Sequence, residues 1–431
     1  MNFKRVLCLL LCIVMAAAVL PLGSLAAKYD YSTIFSDGEW QMYGLINDKR
    51  AENGKLPLSF MGILQAASDM RASEIAKMGS TSPVRPNGDP WHYVLSDLSF
   101  SYAAPEVFEQ RAMNSANAEL IFNALTAYTD PSTGNPTHLN NMIDERFVHF
   151  GSAFVNENGK DVWVNIFTEC TVTEIAFYNA EEMPHVIAGR SIEDAELMLT
   201  LTCEHGKSYV PVYESMVEGY DKHAPGKQTV TVKYGGLSID AEIYVDFEDV
   251  KQTSWYYGAV KDTVELGLFS GTSGTTFSPK SAMTRAMFVT VLAQCKGIDP
   301  SLYTETPFSD VAAGKWYAPY VTWAAKSAIA TGSGDGIFSP SRAITRQEIC
   351  LMLYKFIDVE GKKDTIKDNA QIDSFGDIAM ISGWAGEAVD YCRKKGFVSG
   401  NSYGFFEPKA EATRAQCAAI ILAYVNAAEA E

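Results

Sequence analysis

The sequence is poor in positive charge, in histidine and in long apolar runs. Lys and Arg number 35 against 52 Asp and Glu, a formal net charge of −17. Bulk attraction to nucleic acid or anionic lipid is thereby excluded, and any hold on an acidic polymer must come from a few placed arginines. The six histidines form no HExxH pair, and neither a phosphate loop nor a nucleophile elbow is present, so the familiar signatures of zinc proteases, nucleotide hydrolases and α/β-hydrolases are missing. CxxC pairs are missing too. Cys170, Cys203, Cys295, Cys350, Cys392 and Cys417 are scattered, which suits neither a dense disulfide framework nor a zinc site, and they read as small buried apolar residues.

One apolar run exists, from Val6 to Leu20 behind Lys4 and Arg5, with Ser24, Leu25 and Ala26 after it. It falls short of the ~20 residues a spanning helix needs. It reads as an export signal over residues 1–26, cleaved after Ala26. Its removal leaves 33 Lys and Arg against 52 Asp and Glu, a net charge of −19, and a mature chain with no expected membrane contact.

At 431 residues the chain exceeds what one apolar core usually supports. From Trp40 to Cys170 helical and strand periods mix. Met42, Leu45 and Ile46 mark one helix, Ile63, Ala67 and Met70 a second, and Ile121, Ala124, Leu125 and Tyr128 a third. Two strands follow, joined through Asn158-Gly159, a hairpin signal. In the second, Val162, Val164 and Ile166 alternate with Trp163 and Phe167. Apolar residues on both faces call for helices on both sides. Residues 171–194 read as a linker. Residues 195–246 then break into short alternating runs, such as Val230, Val232 and Tyr234, which suit a small immunoglobulin-like β module.

The last third repeats itself. Phe247, Asp249, Trp255, Gly271, Phe277, Pro279, Thr284 and Arg285 return as Phe308, Asp310, Trp316, Gly332, Phe338, Pro340, Thr345 and Arg346. They return again as Phe375, Asp377, Trp384, Gly400, Phe406, Pro408, Thr413 and Arg414. Trp to Gly spans 16 residues and Trp to Arg 30 in every copy. Each unit reads as helix, loop, helix, with Thr284, Thr345 and Thr413 as caps of the second helix. Such a unit is too small to bury its own apolar face, so the copies must close on one another.

These units, at 247–300, 308–361 and 375–428, resemble S-layer homology (SLH) domains. The resemblance implies an all-α pseudo-threefold bundle that binds secondary cell-wall polysaccharide, often pyruvylated, in grooves between units. The chemistry agrees: a pyruvyl ketal offers a carboxylate, and Arg at a helix start offers a donor fork beside free backbone N–H groups. Arg285, Arg346 and Arg414 are the binding candidates, with Thr284, Thr345 and Thr413 beside them in the same pockets; for the arginines, pairing to a nearby carboxylate is the competing reading. Trp255, Trp316 and Trp384 read as core first and as sugar platforms second. After Thr-Arg the family continues Ala-Glu. Here only the second copy keeps the acid, Glu348, where the others have Met287 and Gln416, so the three pockets are not expected to bind equally.

Residues 38–170 resemble a CAP domain, the fold of cysteine-rich secretory, antigen and pathogenesis-related proteins. The resemblance rests on Asn47, Arg50, Gly54 and Leu58, on Arg85-Pro86-Asn87-Gly88, Tyr102-Ala103 and Glu106, and on His138 to Gly151. It implies an α/β/α sandwich with a cleft often built from two His and two acids. His138 falls on one histidine and Glu106 on one acid; Pro83-Val84 stand where the other histidine belongs, and the second acid has no clear counterpart. With His92 as a guess from sequence distance, His138 and Glu106 could ligate a metal or relay protons. Losing half the usual residues argues against both. His149 reads as ordering the turn into the first strand, and His185, His205 and His223 as structural.

The expected molecule is multidomain: an α/β/α sandwich, a small β-sandwich-like module, and the all-α repeat bundle. No cofactor and no nucleic-acid partner is expected. Its place is the cell wall or S-layer surface, with a CAP domain displayed for binding an unidentified extracellular ligand. The alternatives are a hydrolase of wall or extracellular polymers and a cleft for lipid or a small hydrophobic molecule.

Overall fold

A computed structural model describes residues 36–100, 107–178, 183–363, 367–368 and 374–429. The expected signal at 1–26, with Tyr102-Ala103 and Glu106, lies outside them. No helix among the described residues is long and apolar enough to cross a membrane. Two compact units emerge, the first over residues to 186 with 191–220 and 228–243, the second over 187–190, 221–227 and 244 onward.

The first unit is built on strands β1 (Ser59–Phe60), β2 (Val107–Met113), β3 (Phe147–Glu157), β4 (Lys160–Glu169), β5 (Glu174–Phe177), β7 (Met198–Cys203) and β8 (Gly206–Pro211). They form one seven-stranded sheet in the order β2-β4-β3-β1-β8-β7-β5. Strand β4 sorts its residues as the alternation predicts. Trp163 and Phe167 pack with α1 (Asp37–Glu52), α4 (Ala118–Ala127) and α5 (Thr137–Met142). Val162, Val164 and Ile166 pack with α2 (Gly62–Met78) and α3 (Tyr93–Asp97). Helix α2 lies so close to β3 that a Cβ on Gly151 would stand 2.3 Å from the carbonyl carbon of Leu64. Only glycine permits that approach.

The separate module expected over 195–246 does not form. Strands β7 and β8 extend the first sheet, where Phe60 of β1 pairs with Tyr209 of β8. The segment 171–194 is likewise no bare linker, because its Glu174–Phe177 is the edge strand β5, paired with β7. The remaining strands, β6 (His185–Ile187), β9 (Val217–Glu218), β10 (Gly226–Tyr234) and β11 (Leu237–Asp246), make a four-stranded sheet in the order β6-β11-β10-β9. Alternation reveals a strand but not its partner. The two-residue β1 pairs with β3 on one side and leaves its other edge for a later strand to fill.

The second unit contains helices α6 (Tyr257–Glu265), α7 (Arg285–Lys296), α8 (Ala318–Lys326), α9 (Arg346–Val359), α10 (Gly386–Lys394) and α11 (Arg414–Glu429), two per repeat. All three repeats feed one apolar core, including Phe277, Phe338 and Phe406, each fully buried. Within each repeat an Asp carboxylate latches the loop. Asp249 accepts from the N–H groups of Phe277 and Ser278 at 2.8 and 2.7 Å. Asp310 does so from Phe338 and Ser339, and Asp377 from Phe406 and Glu407. The latch holds Ser278, Ser339 and Glu407 at φ of 57°, 62° and 57°, a left-handed backbone that costs energy outside glycine. In the first two copies the repeated glycine answers to the repeated Phe. A Cβ on Gly271 or Gly332 would lie 2.7 or 2.9 Å from the ring of Phe247 or Phe308.

Candidate functional site

In the first unit Asn47 and Arg50, which carry the CAP resemblance, are structural ties, and of the cleft candidates His138 and His92 are described while Glu106 is not. Arg50 is buried, and its guanidinium donates to the carbonyls of Leu56, Met142, Asp144 and Phe147 at 2.7–3.2 Å. Asn47 bonds both the N–H and the carbonyl of Leu58. His138 sits on α5 against Phe108 and Tyr128, and burial, then Arg111, pulls its pKa below the ordinary histidine value. Its buried Nδ1 has no hydrogen-bond partner among the described residues. His92 lies at the start of α3, and among the described residues neither histidine joins a metal-ligating cluster.

Two constellations escaped the sequence. On β2, the buried Glu109 receives Arg71 at 2.9 Å and Arg111 at 3.1 Å. Arg71 also meets Glu74 at 3.2 Å, and Glu74 meets Arg85 at 2.7 Å. Burial outweighs the pull of Arg111 and Arg71 and pushes Glu109 up to about 7. The second constellation gathers His149, Cys170 and Cys203, whose ligand atoms all lie within 4.8 Å of one another. His149, expected to order the turn into the strand, lies within β3, is fully buried and meets Ser59 and Cys203. Cys203 is buried, as expected of it, and Cys170 is half-buried. The sequence held all three but not their meeting, since 54 residues separate His149 from Cys203.

In the second unit each candidate arginine reaches into the next repeat. Arg285 donates through Nε to Phe338 O at 3.0 Å and through Nη2 to Thr331 O at 3.0 Å. Arg346 does the same to Phe406 O and Ser399 O at 2.7 and 2.8 Å. Arg414 closes the circle on Phe277 O and Ser270 O at 2.8 and 2.6 Å. Each guanidinium also lies over the ring of that Phe, at 4.8, 4.9 and 4.5 Å from its centroid. Burial pulls each arginine below its ordinary pKa, yet arginine stays protonated in proteins.

The helix starts are equally committed. Met283 N–H donates to Ala412 O, Ala412 N–H to Ile344 O, and Ile344 N–H to Met283 O, a ring of three bonds with one strand from each repeat. The N–H groups of Arg285, Arg346 and Arg414 go to Arg342 O, Ala410 O and Ser281 O, again across repeats. Thr284 and Thr413 cap Met287 and Gln416, and Thr345 forms a capping box with Glu348. The free backbone donors expected beside the arginines are therefore used by the protein itself, because a buried helix start must satisfy them.

What remains differs between copies. The Nη1 of Arg285 meets Glu348 at 3.1 Å. Arg346 and Arg414 stand opposite copies carrying Gln416 and Met287 instead, and their Nη1 groups have no protein partner among the described residues. A recess of about 340 Å³ adjoins the loop that receives Arg414, lined by Asp249 and residues 278–281. The tryptophans are not core. Trp255, Trp316 and Trp384 are 70, 58 and 54% exposed, and Trp255 and Trp316 stand edge-on to Tyr256 and Tyr317. Each lies before its helix rather than on the helix's inner face, a placement that composition cannot reveal.

The model of the S-layer homology domain matches residues 246–287, 307–350 and 374–418, and that of the cysteine-rich secretory protein family (CAP) matches 43–168. The chain carries one CAP domain and three SLH domains. An endoglucanase of Bacillus sp. (strain KSM-635) is 33% identical over 175 residues, 41% of this chain and 18% of that protein. An S-layer protein of Bacillus thuringiensis subsp. finitimus is 27% identical over 202 residues, 47% and 24% of the two chains. The chain thus spans under a quarter of the length of these curated relatives. An extracellular protein containing a SCP domain from Bacillus anthracis aligns with a TM-score of 0.27 at 13% identity, over 34% of this chain and 45% of that one. Both SLH and CAP domains keep their repeat or motif residues mainly for internal ties, and the SLH domains keep exposed aromatics besides.

Proposed function

We propose that this is an exported cell-surface protein, held non-covalently on secondary cell-wall polysaccharide by three SLH domains arranged as a pseudo-threefold bundle, and displaying its CAP domain for extracellular binding. The carrying observations are that Trp255, Trp316 and Trp384 are exposed and that two of the three arginines keep a guanidinium edge unspent. An aromatic face suits a sugar ring, and a charged N–H edge suits an acidic substituent such as a pyruvyl ketal. The unspent edges belong to Arg346 and Arg414, whereas Glu348 fills that of Arg285. Two grooves therefore bind acidic sugar and the first does not. The match to an S-layer protein supports the surface location.

For the CAP domain, display rather than turnover is favoured because Pro83-Val84 stand where the family's second histidine belongs, and His138 is held among Phe108 and Tyr128 with its pKa lowered by burial. The test of anchoring is co-sedimentation of the mature chain with purified walls, before and after acid removal of the polysaccharide. Binding should vanish on removal. It should fall at least tenfold in the triple Trp→Ala variant, and fall with Arg346→Lys and Arg414→Lys but not with Arg285→Lys. Equal binding to stripped walls would refute polysaccharide anchoring, and measurable turnover of a wall polymer that disappears in His138→Ala would refute display.

A further inference from the structure

The cluster on the sheet of the first unit has the make-up of a metal centre. His149 lies on β3, Cys170 follows β4, and Cys203 ends β7. The Ser59 hydroxyl donates to Val148 O at 3.0 Å, so its oxygen must accept from His149 Nδ1–H, 2.8 Å away. That fixes the tautomer and leaves the lone pair on Nε2, aimed at Cys203 Sγ at 3.1 Å. Cys170 Sγ lies 3.7 Å from the Glu204 carboxylate. Both thiols are free. The cluster therefore presents one bare imidazole nitrogen and two thiols to a common centre, with the Glu204 carboxylate beside Cys170.

We propose that His149, Cys170 and Cys203, completed by Glu204, bind one zinc-class divalent cation that ties the β3–β4 hairpin to the β7–β8 hairpin. A tetrahedral zinc ion with Zn–S of about 2.3 Å and Zn–N of about 2.0 Å sets ligand-to-ligand edges of roughly 3.3–3.8 Å. The 3.1 Å separation of His149 Nε2 from Cys203 Sγ and the 4.8 Å limit on the three ligand atoms bracket those edges. Two thiolates with an imidazole select zinc over calcium or magnesium, which take oxygen ligands. With Glu204, which neighbours Cys170, closing the fourth position, the site is structural rather than catalytic. On binding, the two S–H bonds break, two metal–sulfur bonds form, and two protons leave to solvent past the exposed Glu204, so the dication replaces two protons at constant net charge. The hydroxyl of Ser59 acts behind the ligand, orienting the ring as outer partners of metal-bound histidines do. A Cys170–Cys203 disulfide is the competing fate of two neighbouring thiols outside the cell. It would strip His149 Nε2 of its only donor in a fully buried position, and the structure favours the ion for that reason.

The experiment uses the mature chain purified without chelator, with zinc measured by mass spectrometry, then stripped and refilled with Co(II). The expected result is about one zinc per chain and, with cobalt, a sulfur-to-metal charge-transfer absorption. Cys170→Ser, half-buried and tolerant of change, should lower affinity more than ~100-fold while keeping the circular dichroism of the parent, and Ser59→Ala should lower it about 10-fold. Zinc bound equally by the Cys170→Ser/Cys203→Ser variant, absence of the cobalt–sulfur band, or an intact-mass loss of two hydrogens locating a Cys170–Cys203 disulfide would each overturn the proposal.

Discussion

Arg414 offers the sharpest test of the repeat architecture, because its guanidinium serves stability before it serves any ligand. Replacing it by alanine removes two hydrogen bonds from a charged donor to main-chain carbonyls, at 2.8 and 2.6 Å. Each contributes about 1.5–3 kcal/mol, and the carbonyls are left unsatisfied. The contact over the Phe277 ring, 4.5 Å from its centroid, adds about 0.5–1 kcal/mol. Releasing the arginine's rotamers returns up to ~2 kcal/mol. The net loss is about 1.5–5 kcal/mol, centred near 3. For a unit of this size a kilocalorie shifts the midpoint by about 2–4 °C, so Arg414→Ala should lower the calorimetric transition of the repeats by about 10 °C. Arg414→Lys can satisfy one carbonyl at a time and should fall between. A surface arginine that only awaits a sugar would move the transition by no more than ~0.5 kcal/mol. An Arg414→Ala transition within ~2 °C of the parent would refute the clamp.

Three further outcomes follow from particular contacts. Gly332→Ala forces a Cβ to 2.5 Å from Ile337 O and 2.9 Å from the Phe308 ring, and should cost about 2–4 kcal/mol by denaturant unfolding, where Gly314→Ala, with open space around it, should not. Glu109 has its folded pKa raised to about 7 above the ordinary glutamate value near 4.3. The folded state therefore holds a proton that the unfolded state releases, and stability present below about pH 4.5 declines as pH rises to about 7, by roughly 3 kcal/mol in all; Glu109→Gln should flatten that slope in urea titrations at pH 5 and pH 8. Trp384→Ala, at an exposed position, should leave the unfolding midpoint within ~0.5 kcal/mol of the parent, as measured by calorimetry, while weakening wall retention.

The sequence alone carried whatever depends on period and spacing. Constant intervals from Trp to Gly and from Trp to Arg disclosed the repeats, since each copy needs the same Asp latch and threonine cap. The opposite-face sorting of Val162 and Trp163 was also legible, because a pleated strand alternates without exception. Tertiary structure decided what depends on partners distant along the chain. It passed each arginine to the following repeat, turned Trp255, Trp316 and Trp384 outward, and gave Glu348 to Arg285. It also moved β7 and β8 from an expected separate module onto the open edge of β1. His149, Cys170 and Cys203 show the difference most plainly. A residue's type and neighbours fix what chemistry it can offer, but only the closure of the sheet brings three such offers within bonding distance.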